Sequence, residues 1–105
     1  MVGYAETVQT LVDRVVETVH PLRVILFGSC ARNEASAQSD IDLMVVMPDG
    51  THRRQTSQRL YRQIRGIGIP FDVVVATPQD LSTHKDNVGL IYRKILQEGV
   101  EVYAS

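Results

Sequence analysis

The sequence predicts an α/β sandwich, in which helices pack against one small β-sheet. Residues 5–19 and 88–96 each carry apolar side chains at i, i+3, i+4, i+7 and i+8, the spacing of one helix face. Short runs of apolar and β-branched residues, typical of buried strands, occur at 23–27, 41–47 and 71–76. Because helical and strand patterns alternate along the chain, helices packed on a sheet are expected.

The first two elements are a helix and a strand. The stripe in residues 5–19 predicts an amphipathic helix, which Pro21 closes. Five of its six stripe positions are valine, an indifferent helix former, so packing must stabilise this helix. Residues 23–27 (RVILF) then form a continuous apolar run that ends at Gly28 and Ser29, as a buried strand does where it enters a turn.

A second strand and a second long helix follow. Residues 30–39 are small and polar, which fits a brief helical turn and a loop. Residues 41–47 (IDLMVVM) predict a strand that the turn at 48–50 (PDG) ends. Residues 51–65 predict a helix, and two glycines immediately beyond it end it.

The last third of the chain predicts a strand, a short turn, a helix and a closing strand. Residues 71–76 (FDVVVA) are β-branched and lie between two prolines. The pair at 77–78 (TP) predicts an N-cap with proline at the first helical position. The stripe at 88–96 predicts the last helix, with Gly99 as its C′ residue and a short strand at 100–103.

The composition is that of one small soluble domain. The chain has 105 residues, which suits a single domain over 1–105, and its formal net charge is −1. This near-neutral balance argues against a dedicated duplex-DNA binder, so direct nucleic-acid binding is not expected. The single Cys30 excludes an internal disulfide framework and a cysteine-rich zinc site. With no apolar run near ~20 residues and no signal-peptide pattern, we expect a cytoplasmic protein without a membrane association.

The basic residues are concentrated in one predicted helix. Within residues 51–65 the chain has five arginines: Arg53, Arg54, Arg59, Arg62 and Arg65. No acidic residue occurs between Asp49 and Asp72, so the rest of the chain is acidic overall. With Leu60 and Ile64 facing inward, most of these arginines face outward. They form either a solvated basic face or a docking surface for an acidic partner or RNA.

Asp40 and Asp42 lie at the start of the second predicted strand. Side chains two residues apart in a strand project to the same face, so both carboxylates would lie on one side, opposite Ile41. Two like charges this close repel each other, and a divalent cation relieves that repulsion. Ligands that are all oxygen suit Mg²⁺ or Mn²⁺. The alternative is that both aspartates are solvated in a loop before the strand begins.

Two further features stand beside apolar strands. Asp72 interrupts an otherwise buried run, and it would join the first two aspartates if the second and third strands are neighbours. The alternative is an aspartate at the exposed rim of the sheet. Gly28 and Ser29 follow a buried strand, where a glycine allows close backbone approach and a following helical turn offers free N–H groups to an anion. Taken alone, Gly-Ser is common in turns.

The remaining polar and aromatic candidates carry less weight. The three histidines have no metal-ligand spacing and are expected in surface or capping roles: His20, His52 and His84. Nothing pairs with Cys30, so a catalytic thiol is not expected. Tyr61, Tyr92 and Tyr103 are expected at the rim of the core rather than as base-stacking platforms.

Joined in order, these features are much more specific. The strings LFGSCAR (26–32), SDIDLMVV (39–46) and FDVVV (71–75) resemble the minimal nucleotidyltransferase (MNT) domain of the DNA polymerase β-like nucleotidyltransferase superfamily. The resemblance extends over essentially the whole chain, including ILQEGVEVY (95–103). It implies the polymerase β-like nucleotidyltransferase fold of the α/β (α+β) class, with a small mixed β-sheet of about four strands and helices packed against it.

The resemblance also implies roles for the aspartates. Asp40 and Asp42 would hold two Mg²⁺ ions, or Mn²⁺ in their place, that grip a nucleotide triphosphate such as ATP. Asp72 would complete the second metal site and help to deprotonate the attacking hydroxyl. All three are therefore the expected catalytic and metal-binding residues. Two metals stabilise the attacking and leaving oxygens during in-line displacement at the α-phosphate, from which pyrophosphate leaves.

The phosphate-binding residues are implied in the same way. Gly28 and Ser29 would bind the terminal phosphates of the nucleotide. Arg32 matches the basic position after GSxA, where it either reaches a phosphate or secures the turn. The family commonly has glycine next, and this chain has Asn33, which tolerates a left-handed conformation better than most residues.

The length bears on the acceptor of the nucleotide. Larger superfamily members carry additional domains that hold a primer or a drug, so the acceptor is expected on a partner protein, in a homo- or hetero-oligomer. The resemblance implies a HEPN-domain toxin, whose tyrosine receives AMP from ATP in a type VII-like toxin–antitoxin pair. The chain would then be the antitoxin and a protein adenylyltransferase. The alternatives are an antitoxin that neutralises its partner by occlusion without catalysis, and transfer to a small-molecule hydroxyl.

Overall fold

A computed structural model of the protein describes residues 4–28, 40–82 and 87–105. The elements along the described chain are α1 (Tyr4–Val19), β1 (Arg23–Phe27), β2 (Ile41–Val46), α2 (Arg53–Gln63), β3 (Phe71–Ala76), α3 (Pro78–Ser82), α4 (Asn87–Glu98) and β4 (Val100–Ala104). The predicted fold class, helices packed on a small mixed sheet, is confirmed. The helical turn predicted within 30–39 lies outside the described residues.

The four strands form one sheet in the order β3-β2-β1-β4. β1 runs antiparallel to both β2 and β4, whereas β2 and β3 are parallel. Parallel neighbours require a crossover connection, and α2 supplies it between β2 and β3. This arrangement places β2 inside the sheet, in agreement with its nearly continuous apolar sequence.

One face of the sheet packs against α1 and α2. The buried residues of this first cluster are Leu11, Val12, Val15, Val24, Ile41, Leu43, Val45, Met47, Leu60, Ile64, Val73 and Val75. Alternate residues of β2 and β3 therefore face these helices, as the period of two in each strand predicts. The apolar stripe predicted for residues 5–19 is the surface through which α1 joins this core.

The opposite face packs against α4. Its buried cluster consists of Ile25, Met44, Val46, Ala76, Tyr92 and Ile95. Because β2 contributes to both clusters, the sheet is covered on both sides, and the predicted sandwich is confirmed. No helix in the described ranges is long and apolar enough to cross a membrane.

The helix ends show how the sequence sets the boundaries. α2 begins after His52, whose Nδ1 accepts a hydrogen bond from the Gln55 N–H at 3.1 Å, so the predicted capping role is confirmed. α3 begins at Pro78, and its cap is reciprocal. The Thr77 hydroxyl accepts from the Asp80 N–H at 3.3 Å, and the Asp80 carboxylate accepts from the Thr77 N–H at 3.0 Å.

Gly99 follows α4 as predicted, but the reason for glycine there differs from the prediction. A C′ glycine usually adopts a left-handed conformation, and Gly99 does not have a positive φ. A Cβ at this position would lie 2.6 Å from Ile25 Cγ2 and 2.6 Å from the Ile95 carbonyl oxygen. Glycine is therefore required because the end of α4 approaches β1 closely.

Gly99→Ala is expected to lower the free energy of unfolding by about 2–3 kcal/mol, because the added methyl group overlaps backbone as well as a side chain. Gly50→Ala is a matched control, since Gly50 has a φ of +89° and nothing within 4 Å of its Cβ position. Its cost is expected to be only the backbone strain, about 1 kcal/mol. Equal losses in urea denaturation would contradict the close approach as the reason for Gly99.

Candidate functional site

The predicted acidic residues lie together at one edge of the sheet. Asp42 is the second residue of β2 and Asp72 the second residue of β3, and the parallel register pairs them directly. Register partners on neighbouring strands project to the same face of the sheet, with the strands about 4.8 Å apart. Asp40 precedes β2 by one residue. The neighbourhood of β2 and β3, which the sequence analysis left as a condition, is confirmed.

The three carboxylates differ in exposure. Asp40 and Asp72 are exposed, whereas Asp42 is half-buried. Two positions match the alternatives considered for single aspartates: Asp40 lies just before the strand, and Asp72 lies at the exposed rim of the sheet. Neither alternative included the pairing of Asp72 with Asp42.

Asp42 is the electrostatic centre of this group. Burial raises the pKa of its carboxyl, and the negative charges of Asp72 and then Asp40 raise it further. A raised pKa means that the fold disfavours the ionised form of Asp42. A cation at this edge would relieve both the desolvation and the repulsion.

Gly28 lies against Asp42. The residue before it, Phe27, is the register partner of Asp42 across the antiparallel β1–β2 pair. Gly28 has a φ of +76°, and a Cβ there would lie 2.5 Å from Asp42 Oδ2. Glycine therefore both allows the left-handed turn and leaves room for the carboxylate. From the sequence, glycine was expected here only for close backbone approach. The positive φ and the contact with Asp42 come from the tertiary structure, because both depend on how β1 turns and pairs with β2.

The rest of the predicted phosphate-binding turn falls outside the described residues. This applies to Ser29 and Arg32, and also to Cys30, Asn33 and His84. The phosphate-binding roles of Ser29 and Arg32 stay predictions.

The donor set fits a hard divalent cation in its chemistry. Carboxylate oxygens are negatively charged ligands of the kind that hard divalent cations prefer. At Asp42, burial and the neighbouring aspartates make the ionised form unfavourable. Among the described residues, however, no group of three or more His, Cys, Asp or Glu side chains is close enough to hold a metal ion. The described carboxylates are thus suited to a cation without forming a closed three-ligand cage.

Tyr61 of α2 contacts β3 next to Asp72, from the sheet face opposite to the carboxylate, and was expected only at the rim of the core. Its hydroxyl accepts a hydrogen bond from the Val73 N–H at 2.8 Å, and its ring stacks on Phe71 at a centroid distance of 5.5 Å. These are the two residues that flank Asp72. No sequence pattern predicts this contact, because Tyr61 and β3 belong to different elements and a glycine-containing loop separates them along the chain.

Comparisons with known proteins agree with this architecture. Residues 8–102 match the family described as "Nucleotidyltransferase domain". No curated protein matches the chain. A crystal structure of a candidate nucleotidyltransferase from Sulfolobus solfataricus superposes with a TM-score of 0.59 and 20% sequence identity, covering 94% of this chain and 78% of that one. At this identity the structural likeness shows the fold.

Gly28→Ala is expected to displace the Asp42 carboxylate. Because the carboxylate ends a flexible side chain, it can rotate away from the added methyl group, and the loss of stability reflects mainly the left-handed φ, about 1 kcal/mol. Gly68→Ala is the matched control, since its φ is +87° and nothing lies within 4 Å. Gly28→Ala alone should change the ¹³C chemical shift of the Asp42 carboxyl. An unchanged shift in both variants would contradict the contact.

Proposed function

The chain belongs to the nucleotidyltransferase domain family, and we propose that it transfers AMP from ATP to a hydroxyl group of a partner protein. The observation that carries this proposal is the direct pairing of Asp42 with Asp72 beside Gly28. Two carboxylates beside a glycine turn concentrate negative charge at this end of the strands, and a divalent cation would neutralise it. A nucleotide triphosphate binds together with a divalent cation, so this place suits it.

The metal sites are proposed on the three aspartates. Asp40, Asp42 and Asp72 would hold two Mg²⁺ ions, which Mn²⁺ can replace. When bound, such ions neutralise the triphosphate and stabilise the attacking and leaving oxygens. The raised pKa of Asp42 supports this assignment, since its charge is costly unless a cation accompanies it.

The chain's own residues carry the remaining steps. Asp72, exposed at the start of β3, accepts the proton of the acceptor hydroxyl. The acceptor oxygen then forms a bond to the α-phosphorus, and the bond from this phosphorus to the bridging oxygen of pyrophosphate breaks. Gly28, Ser29 and Arg32 would bind the terminal phosphates. AMP stays on the acceptor and pyrophosphate leaves.

A tyrosine of a HEPN-domain toxin is the acceptor we propose, which makes the chain the antitoxin of a type VII-like pair. The resemblance to minimal nucleotidyltransferase domains supports this partner. The exposure of Asp40 and Asp72 supports an acceptor as large as a protein, because a protruding tyrosine can reach an exposed carboxylate.

The outer face of α2 is the proposed docking surface for this partner. α2 has four exposed arginines, Arg53, Arg54, Arg59 and Arg62, and Arg65 lies just beyond the helix. Arg53 is paired with Asp80, so the surface consists of the other arginines. Leu60 holds α2 on the sheet face opposite the one to which Asp42 projects, so partner binding there does not compete with the nucleotide.

Incubation with α-³²P-labelled ATP, Mg²⁺ and a HEPN-domain toxin should label the toxin. Asp42→Asn should reduce labelling by about a hundredfold or more, because the variant loses a ligand charge.

Without metal, the Asp42→Asn variant should have a melting temperature no lower than that of the parent chain. Ionised Asp42 destabilises the fold above the ordinary carboxyl pKa, and the amide removes this charge.

The other outcomes separate the alternatives. An Asp42→Asn variant that neutralises the toxin fully indicates occlusion without catalysis. Label on a small metabolite indicates a small-molecule acceptor. Absence of any transfer by the folded chain with either Mg²⁺ or Mn²⁺ contradicts the proposal.

The double charge reversal R59E/R62E is expected to raise the KM for the HEPN protein about tenfold and to leave the KM for ATP unchanged. The reason is that both arginines lie on the outer face of α2, away from the carboxylates. Gln55→Ala/Gln58→Ala on the same helix is the uncharged control. Equal effects of the two double variants would contradict an electrostatic docking surface.

A further inference from the structure

Asp72 lies on an edge strand. β3 is the outermost strand of the sheet and pairs only with β2 among the described strands. The carbonyls of Pro70 and Ala76 accept hydrogen bonds from the Ile41 and Met47 N–H groups. Even-numbered residues of this segment therefore direct their backbone groups to β2, and Phe71 and Val73 direct theirs to the open edge. An open edge holds a strand less firmly than a ladder on both sides.

One side chain closes this edge at the position of Asp72. The Tyr61 hydroxyl accepts the Val73 N–H at 2.8 Å, and its ring stacks on Phe71 at 5.5 Å with 17° between the planes. Tyr61 thus contacts the residues immediately before and after Asp72. Tyr61 is 43% exposed, so burial of the ring alone does not explain its position.

We propose that Tyr61 is a positioning residue for Asp72, an inference that rests on the proposed function. The Val73 N–H belongs to the peptide group between Asp72 and Val73, so its hydrogen bond fixes the rotation of that group about the Asp72 Cα. The stacked Phe71 ring fixes the residue on the other side. With the β2 ladder, these contacts determine the direction in which the Asp72 carboxylate leaves the strand.

Tyr61 acts from the opposite face of the sheet. Phe71 and Val73 face α1 and α2, and Asp72, between them, projects to the other side. The phenol therefore does not touch the reacting atoms. Removal of a group that is hydrogen-bonded to a metal ligand commonly changes metal affinity or activity about 10- to 100-fold. Tyr61 acts through the backbone, so we expect the lower end of this range.

Tyr61→Phe tests the inference, because phenylalanine keeps the ring and removes the acceptor of the Val73 N–H. We expect three changes in this variant. Amide exchange at Val73 accelerates about tenfold, Mn²⁺ binds about tenfold more weakly, and kcat falls about tenfold with little change in the KM for ATP. Tyr103→Phe on β4, at the other edge of the sheet, removes a phenol hydroxyl far from Asp72 and should change none of these quantities.

The Mn²⁺ affinity, followed by electron paramagnetic resonance, needs no turnover. This measurement tests the role of Tyr61 even if the parent chain transfers no nucleotide. Absence of transfer would overturn only the proposed function. Unchanged Mn²⁺ affinity in Tyr61→Phe overturns the positioning role. Faster exchange at all amides, with Mn²⁺ affinity restored on cooling, also overturns it, because Tyr61 then serves only global stability. Weaker Mn²⁺ binding with faster exchange confined to β3 supports it.

Discussion

The parallel pairing of β2 with β3 places two carboxylates side by side on strands that are otherwise apolar. Asp42 and Asp72 are register partners, and burial adds to their repulsion at Asp42. Such an arrangement lowers the stability of the domain, and it persists only where the surrounding packing offsets this loss. Here β2 contributes buried residues to the clusters on both faces of the sheet, so the strand that bears Asp42 cannot shift to relieve the charge.

The residues around this pair are consistent with that constraint. Gly28 leaves the space that the Asp42 carboxylate occupies, where any larger residue would displace it. Tyr61 contacts the residues on both sides of Asp72 along the open edge of β3, through the Val73 N–H and the Phe71 ring. The charged edge is thus supported from the turn after β1 and from α2. In the proposed function, these contacts position the carboxylates that would bind the cation.

The near-neutral net charge of −1 conceals two separated charge regions. The arginines of α2 lie outward from the first core cluster, and the aspartates project from the other face of the sheet. In the proposed function, the acidic side would bind the metal–nucleotide complex and the basic side an acidic surface of the partner. Of the four arginines of α2, only Arg53 is seen in an ion pair within the described ranges, with Asp80 at 3.3 Å.

The sequence by itself determined the helices and strands and singled out the aspartates of the candidate site. Periods of 3.6 and 2 placed the helices and strands, since each element must bury one side, and β1 and β3 have the predicted bounds. Aspartates within apolar strands stood out because charge is costly there. The tertiary structure alone decided that Asp42 and Asp72 are partners, that Gly28 makes room for Asp42, that Gly99 admits α4 to β1, and that Tyr61 supports β3. Each of these is a contact between segments distant along the chain, and local periodicity carries no information about strand order or about which atoms meet across it.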